Sequence, residues 1–507
     1  MRSCRTGGSG DHREMGVDVE VPGGVVRGRQ EAGVAVFRGI PFASLPERFG
    51  APRPVRGWAG VRDTSAFGPA PPQSGPVAPT GDAGAAGAGQ GADRSEDSGS
   101  PDPGWLTANV WSPDLTGRLP VMVWVQGGAY VFGTSGLPEY DGSILARHGV
   151  VVVTFNYRVG LEGFGLVEGR PANRGLLDQV AALEWVREAI GAFGGDPARV
   201  TVFGQSAGGG SVAALLAMPR AQGLFRRAIA QSVPGTFFTP ALATDVTRVC
   251  AAELGVAPAD LPGVDAELLP LALDAVLERV ERYADRWGRA AHARVPVAPV
   301  VDGDVLPTTP WEGLTGRIPL LVGHTRDEQR LLSLLTGVLG QVTPAQAAEA
   351  AEVFAPDAQA YRDRFADPDA LYEAVRSDWL FRMPSVLLAR AQLAAGGDAH
   401  VYELTWPAPG MGGVLGACHG LDVPLVFGTL TAGQPAMLIG EPGPEAESLS
   451  AQMRRAWVDF ATTGDPGWPP FDAGATRVFD VEPRVVDYPE RASLELWADY
   501  PDVLDLV

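Results

Sequence analysis

The chain contains no lysine: all 40 of its basic residues are arginine. Schiff-base and other lysine chemistry is thereby excluded. Cysteine is nearly as scarce. Cys4, Cys250 and Cys418 are odd in number and widely separated, which argues against a disulfide framework and against a cysteine-based metal site. No apolar run is long enough to cross a bilayer, and the opening residues, MRSCRTGGSGDHREMG, lack the apolar core of a secretion signal. The expectation is a cytoplasmic protein with no membrane association, for which Met15 is an alternative start to Met1. Positive charge is outnumbered, with 60 acidic residues giving a net charge of −20, so phosphate backbones are repelled and nucleic acid is excluded as a partner.

What is present is a large core. Of 507 residues, 45% are hydrophobic, enough for one large α/β unit despite a length that allows several domains. Residues 1–16 read as a disordered tail and 17–507 as a single domain. Within it VDVEVPGGVVRG reads as two strands joined at the glycine pair. Residues 69–104 hold almost no large apolar side chains and read as a flexible flap. Beyond it, buried strands (VMVWV at 121–125, VVVVTF at 150–155) alternate with helical stretches. In one of these Leu176, Val180, Leu183, Val186 and Ile190 recur at helical spacing. The fold class expected is α/β, a mainly parallel central sheet with helices on both faces. Alanine- and leucine-rich regions at about 240–290 and 330–395 are expected to be helical cap insertions.

The segment TVFGQSAGGGSV places Ser206 between a β-branched strand and a helix that Pro219 ends. Gly204 and Gly208 carry no Cβ where strand and helix cross, so the turn can be sharp and hold the serine hydroxyl out. The helix start beside it favours developing negative charge. A serine nucleophile needs a base and an acid that orients the base. Of six histidines, His419 in GACHGLDVPLVFG is the best candidate base, on a glycine-flanked loop after the strand HVYELTW. The strand in PLLVGHTRDEQ leads into Asp327 and Glu328, either of which fits the acid by position. Gly127, Gly128 and Ala129 follow the strand VMVWV and, with Ala207, present backbone N–H groups to an oxyanion.

In combination these residues resemble the type-B carboxylesterases, a family that includes bacterial para-nitrobenzyl-type esterases, animal carboxylesterases and cholinesterases. The resemblance rests on FGGDPARVTVFGQSAGG (193–209), FRGIPFA (37–43), NVWSP (109–113), NYRVG (156–160), NRGLLDQVAALEWV (173–186), TRDEQ, CHGLDVPLVFG and LSAQMRRAWVDFATTGDP (449–466). It implies an α/β-hydrolase fold with an active-site gorge. It makes Ser206 the nucleophile, Glu328 rather than Asp327 the acid, and His419 the base. Its oxyanion donors fall on Gly128, Ala129 and Ala207.

The activity expected is hydrolysis of a small-molecule carboxylic ester through an acyl-enzyme, with no metal or organic cofactor, in a monomer. The alternatives are acyl transfer and a catalytically silent binding protein on the same fold. Gln126, Gly127, Gln205, Phe237 and Phe238 are the candidate pocket residues, with core packing the other reading of the two phenylalanines. The chain departs from the family in three places. Gln126 stands where many members carry histidine or tyrosine. The family's EDCL signature is broken into SEDSGSPDPGWLTANV, which leaves the flap without its cysteine. Finally, no tryptophan precedes Trp105 in the flap, so an aromatic cage for a quaternary ammonium is not supported there.

Overall fold

The computed structural model describes residues 16–74 and 102–497. The tail expected at 1–16, apart from Gly16, which opens the first strand, and most of the flap expected at 69–104 therefore lie outside the described residues. Twelve strands follow one another across a mixed sheet: β1 (Gly16–Val21), β2 (Gly24–Glu31), β3 (Val34–Pro41), β4 (Thr107–Ser112), β5 (Leu119–Val125), β6 (Val151–Phe155), β7 (Gly195–Gln205), β8 (Arg227–Gln231), β9 (Leu320–Thr325), β10 (Ala399–Leu404), β11 (Ala475–Phe479) and β12 (Arg484–Asp487). Their spatial order is β1-β2-β3-β4-β6-β5-β7-β8-β9-β10-β11-β12, with a short strand at Val61–Asp63 beside β2.

The seven strands from β6 to β11 in that order run parallel, and the two margins are antiparallel. The reason is visible strand by strand. On β5, Val121, Val123 and Val125 join one buried cluster while Met122 and Trp124 join the other. Leu320 and Val322 of β9 likewise oppose Leu321. Side chains alternate faces at a period of two, so a strand apolar at every position must be covered twice. Helices α1 (Arg174–Ala189), α2 (Ala207–Ala217), α3 (Pro368–Ser377) and α4 (Met383–Ala394) contribute to the first cluster. Helices α5 (Asp422–Phe427) and α6 (Pro444–Thr463) contribute to the second. Helices also occupy both expected insertions, among them Pro240–Glu253 and Pro344–Phe354.

One buried ion pair fastens α1 to the chain beyond β6. The Arg158 and Asp178 side chains are both 0% exposed and meet at 2.7 Å. Such a pair is tolerable only when its remaining hydrogen-bonding capacity is used. Here Arg158 also donates to the carbonyls of Arg48 and Gly50, and its own backbone N–H donates to Asp178.

Candidate active site

Strand β7 ends at Gln205 and α2 begins at Ala207, so the whole change of direction falls on Ser206. Its backbone sits at φ 59°, ψ −127°, outside the regions ordinary residues favour, a conformation that costs roughly 1–3 kcal/mol. Neighbouring contacts hold it there. Ser206 N–H donates to the Gln231 carbonyl of β8, and Gly210 N–H to the Ser206 carbonyl. The two flanking glycines are sterically required: a Cβ on Gly204 would lie 2.6 Å from the Gly208 carbonyl carbon, and one on Gly208 only 2.0 Å from the Val125 oxygen. Ser206 is half-buried while its neighbours Gln205 and Ala207 are buried, so the turn offers this residue to solvent.

His419 and Glu328, 91 residues apart, are brought together. The imidazole Nδ1 lies 2.5 Å from Glu328 Oε2. The other carboxylate oxygen, Oε1, accepts from Ser232 Oγ at 2.7 Å and from Thr325 N–H at 2.9 Å. Burial of Glu328 opposes its charge, but the adjoining imidazole and these donated bonds outweigh it, leaving the carboxyl below its ordinary value. Glu328 therefore presents a carboxylate to Nδ1, which leaves Nε2 as the atom free to accept a proton. Asp327, the other acid allowed by position, faces elsewhere. Its carboxylate pairs with Arg326 and accepts from Ala417 N–H at 2.8 Å, while its own N–H donates to the Ala417 carbonyl. It clips the histidine loop to the end of β9.

Beside the turn, the loop after β5 passes through Gly128 (φ 118°), Ala129 (φ 52°) and Tyr130 (φ 63°). Gly128 is half-buried and Ala129 exposed. Among the described residues, the N–H groups of Gly128, Ala129 and Ala207 donate to no backbone carbonyl. Those of α2's first turn have no intrahelical partner in any case.

The five residues expected to line a pocket are all buried. Gln126 is wholly buried behind this loop, and its carbonyl accepts from Tyr157 OH. Gly127 is packed against the serine turn, where a Cβ would lie 2.8 Å from the Gln205 carbonyl. Phe237 and Phe238, 6% and 2% exposed, belong to the core; Phe237 meets Trp311 edge-on and Phe238 bridges to Val300. Gln205 turns instead toward His419, its Nε2 lying 3.2 Å from the imidazole Nε2.

The other described histidines are otherwise engaged. His324 is buried between the Thr325 carbonyl and Tyr488 OH, and burial pushes it down to about 4. His400 is bonded to the Trp468 carbonyl, His148 to Arg454, and His292 lies near Glu349. Two neighbours of the site escaped sequence reasoning. Ser232 carried no signal beyond a hydroxyl at a strand end. Phe381 lies in Asp378–Arg382, a π-helical turn between α3 and α4, and its ring stacks on the His419 imidazole. Such turns are rare and often mark functional places. Among the described residues no cluster of acids, histidines or cysteines has the geometry to hold a metal ion, and no helix is long and apolar enough to cross a membrane. The buried thiols of Cys250 and Cys418 are free and pushed up to about 12 by burial.

A mainly parallel sheet covered on both faces, with a serine at a strained strand-to-helix turn, is the α/β-hydrolase architecture. The model of the Carboxylesterase family matches residues 16–497, and the chain belongs to that family. It is 37% identical over 492 residues to the para-nitrobenzyl esterase of Bacillus subtilis, covering 92% of this chain and 95% of that one. It is 35% identical to the liver carboxylesterase of Sus scrofa over 87% and 84% of the respective chains. The crystal structure of a Geobacillus stearothermophilus carboxylesterase superposes with a TM-score of 0.78 at 33% identity, covering 95% of this chain and 99% of that one. The protein is thus a carboxylic ester hydrolase, as the motifs led one to expect.

Proposed function

We propose that ester hydrolysis proceeds through an acyl-enzyme on Ser206, with His419 as base and Glu328 as the acid that orients it. Neutral His419 takes the Ser206 proton at Nε2 as Oγ attacks the ester carbonyl carbon. The N–H groups of Gly128, Ala129 and Ala207 receive the oxyanion of the tetrahedral intermediate. Collapse breaks the bond to the alcohol, which leaves with the proton carried by His419. Water then gives a proton to the same imidazole and attacks the acyl carbonyl, releasing the acid and restoring Ser206. Glu328 stays ionised throughout, its charge facing the imidazolium that forms twice per cycle.

The observation that carries this reading is the strained backbone of Ser206 in a chain whose imidazole–carboxylate pair approaches the same turn through Gln205. Substrates are small carboxylic esters, in keeping with the esterase names of the relatives. The test is turnover of a para-nitrophenyl ester chain-length series, with mass spectrometry after an organophosphonate probe. Rapid turnover with one adduct on Ser206, both lost in Ser206→Ala, is the expected result. An adduct on another residue, or turnover that survives Ser206→Ala, would refute the assignment.

A further inference from the structure

His419 Nε2, the atom that must take the serine proton, is held in this structure by Gln205. The Gln205 side-chain nitrogen lies 3.2 Å from it, although the two residues are 214 positions apart. Among the described residues Ser206 Oγ makes no hydrogen bond to that nitrogen. Gln205 is 6% exposed and its amide is confined on two sides. A Cβ on Gly127 would lie 3.4 Å from its Oε1, and one on Gly420, next to the histidine, 3.9 Å from its Nε2. The amide therefore occupies a slot between the loop after β5 and the histidine loop, against the proton-accepting edge of the ring.

The chemistry of that slot is unusual because an amide has both a donor and an acceptor end. With Nδ1 facing the Glu328 carboxylate, neutral His419 carries a lone pair on Nε2, and the Gln205 N–H donates into it. Once Nε2 has taken a proton it becomes a donor, and a half-turn of the amide presents Oε1 to it. A carboxylate at this place would match only the protonated ring. Two acidic groups act on the imidazole, Glu328 at the end of β9, bonded to Nδ1, and Asp422 at the start of α5, which accepts from Gln231 and Tyr402, while Asp327 is turned away to Arg326 and the Ala417 N–H. The Phe381 ring on the π-helical turn stacks on the imidazole face. The uncharged Gln205 amide adds no negative charge to these surroundings.

We infer that Gln205 is a positioning residue for the base: it holds His419 Nε2 between catalytic events and, being uncharged, offers the neutral ring a donor and the protonated ring an acceptor without placing a negative charge at that edge. The inference rests on the role proposed for His419. Gln205→Glu places a carboxylate against Nε2 with little change of shape. An opposite charge at this range shifts a titration by about one to three units, so the acid limb of the kcat/KM profile for para-nitrophenyl acetate should move to higher pH by about one unit or more. Gln205→Met, similar in length but without an amide, should lower kcat about three- to tenfold at nearly unchanged KM, the size of effect expected when one hydrogen bond to the base is lost.

The experiment is the pH profile of both variants and the wild type, alongside the pH dependence of organophosphonate labelling of Ser206, which reads the base without substrate turnover. An upward shift of both limbs in Gln205→Glu supports the inference. If that variant does not fold, the kcat loss at constant KM in Gln205→Met decides. A folded Gln205→Glu enzyme whose limbs coincide with the wild type would overturn it, as would a Gln205→Met enzyme with wild-type kcat where only that variant folds. Failure of the underlying reading looks different: wild-type enzyme that His419→Ala leaves active, or that the probe labels elsewhere.

Discussion

The ring of Phe381 lies stacked on the imidazole of His419, with centroids 4.2 Å apart and planes inclined by 24°. The π-helical turn that presents it is fixed from behind. Asp378 accepts from Tyr361 OH, Tyr361 in turn accepts from Trp497, and Arg382 pairs with Asp378. The Leu380 carbonyl also accepts from Gly235 N–H just beyond β8. The His419 imidazole is thus held against tipping out of its plane.

Phe381→Ala should accordingly lower kcat about two- to tenfold, the rate equivalent of the roughly 0.5–1.5 kcal/mol that an aromatic pair is worth. Steady-state kinetics on para-nitrophenyl acetate would check this. An unchanged kcat would show that the two bonds at Nδ1 and Nε2 suffice to hold the ring.

Glu328 and Asp327 are adjacent in sequence but serve different partners, so their amide variants should separate cleanly. Glu328→Gln removes the charge facing the imidazolium and should cost about 10³–10⁴ in kcat. Asp327→Asn, which touches only the loop clip and Arg326, should cost less than about tenfold. Comparable losses in both would mean that the carboxylate roles are wrongly divided.

Asp178→Ala should destabilise the fold by roughly 3–5 kcal/mol, because it strands the wholly buried guanidinium of Arg158. Urea titration followed by tryptophan fluorescence measures the change. A loss under about 1 kcal/mol would show that the carbonyls of Arg48 and Gly50 satisfy Arg158 without the carboxylate.

Glu403 on β10 is wholly buried, and among the described residues neither carboxylate oxygen has a hydrogen-bond partner. Burial, helped by nearby Glu490 and opposed by Arg382 and Arg326, pushes it up to about 8. The folded state therefore keeps a proton that the unfolded chain gives up near pH 4.5. Its contribution is fully present below that pH and is lost as pH rises toward 8. Glu403→Gln, which mimics the protonated acid, should gain on the wild type by about 1.4 kcal/mol per pH unit between pH 5 and 8. Parallel unfolding curves at pH 5.5 and 7.5 test the sign; a stability difference that does not change with pH would refute it.

The sheet and the serine turn were legible because their causes are local. Strands apolar at every position, such as Val121–Val125, can only lie between two covering layers, and the glycines at 204 and 208 announce a backbone crossing too close for a Cβ. The expectation for Phe237 and Phe238 stayed open because a phenylalanine after a strand carries the same signal whether it lines a pocket or packs a core. Gln126 and Gly127 are ambiguous for a related reason: the sequence places a loop beside Ser206 without saying which of its residues turn outward.

The sequence alone was enough for the fold class and for the strand-to-helix turn at Ser206, which follow from periodicity and glycine placement, and it offered His419 as the best-placed histidine, a choice that rested on the family resemblance as well as on loop position. Position alone left Asp327 and Glu328 both open, the resemblance pointed to Glu328, and the tertiary structure shows that carboxylate meeting the imidazole; only the tertiary structure shows that Gln205 and Phe381 lie at its other edge and its face. Those contacts join segments 38 to 214 residues apart. Side-chain direction at a loop or a π-helical turn depends on backbone torsions set by packing from elsewhere in the chain, and no local pattern encodes them.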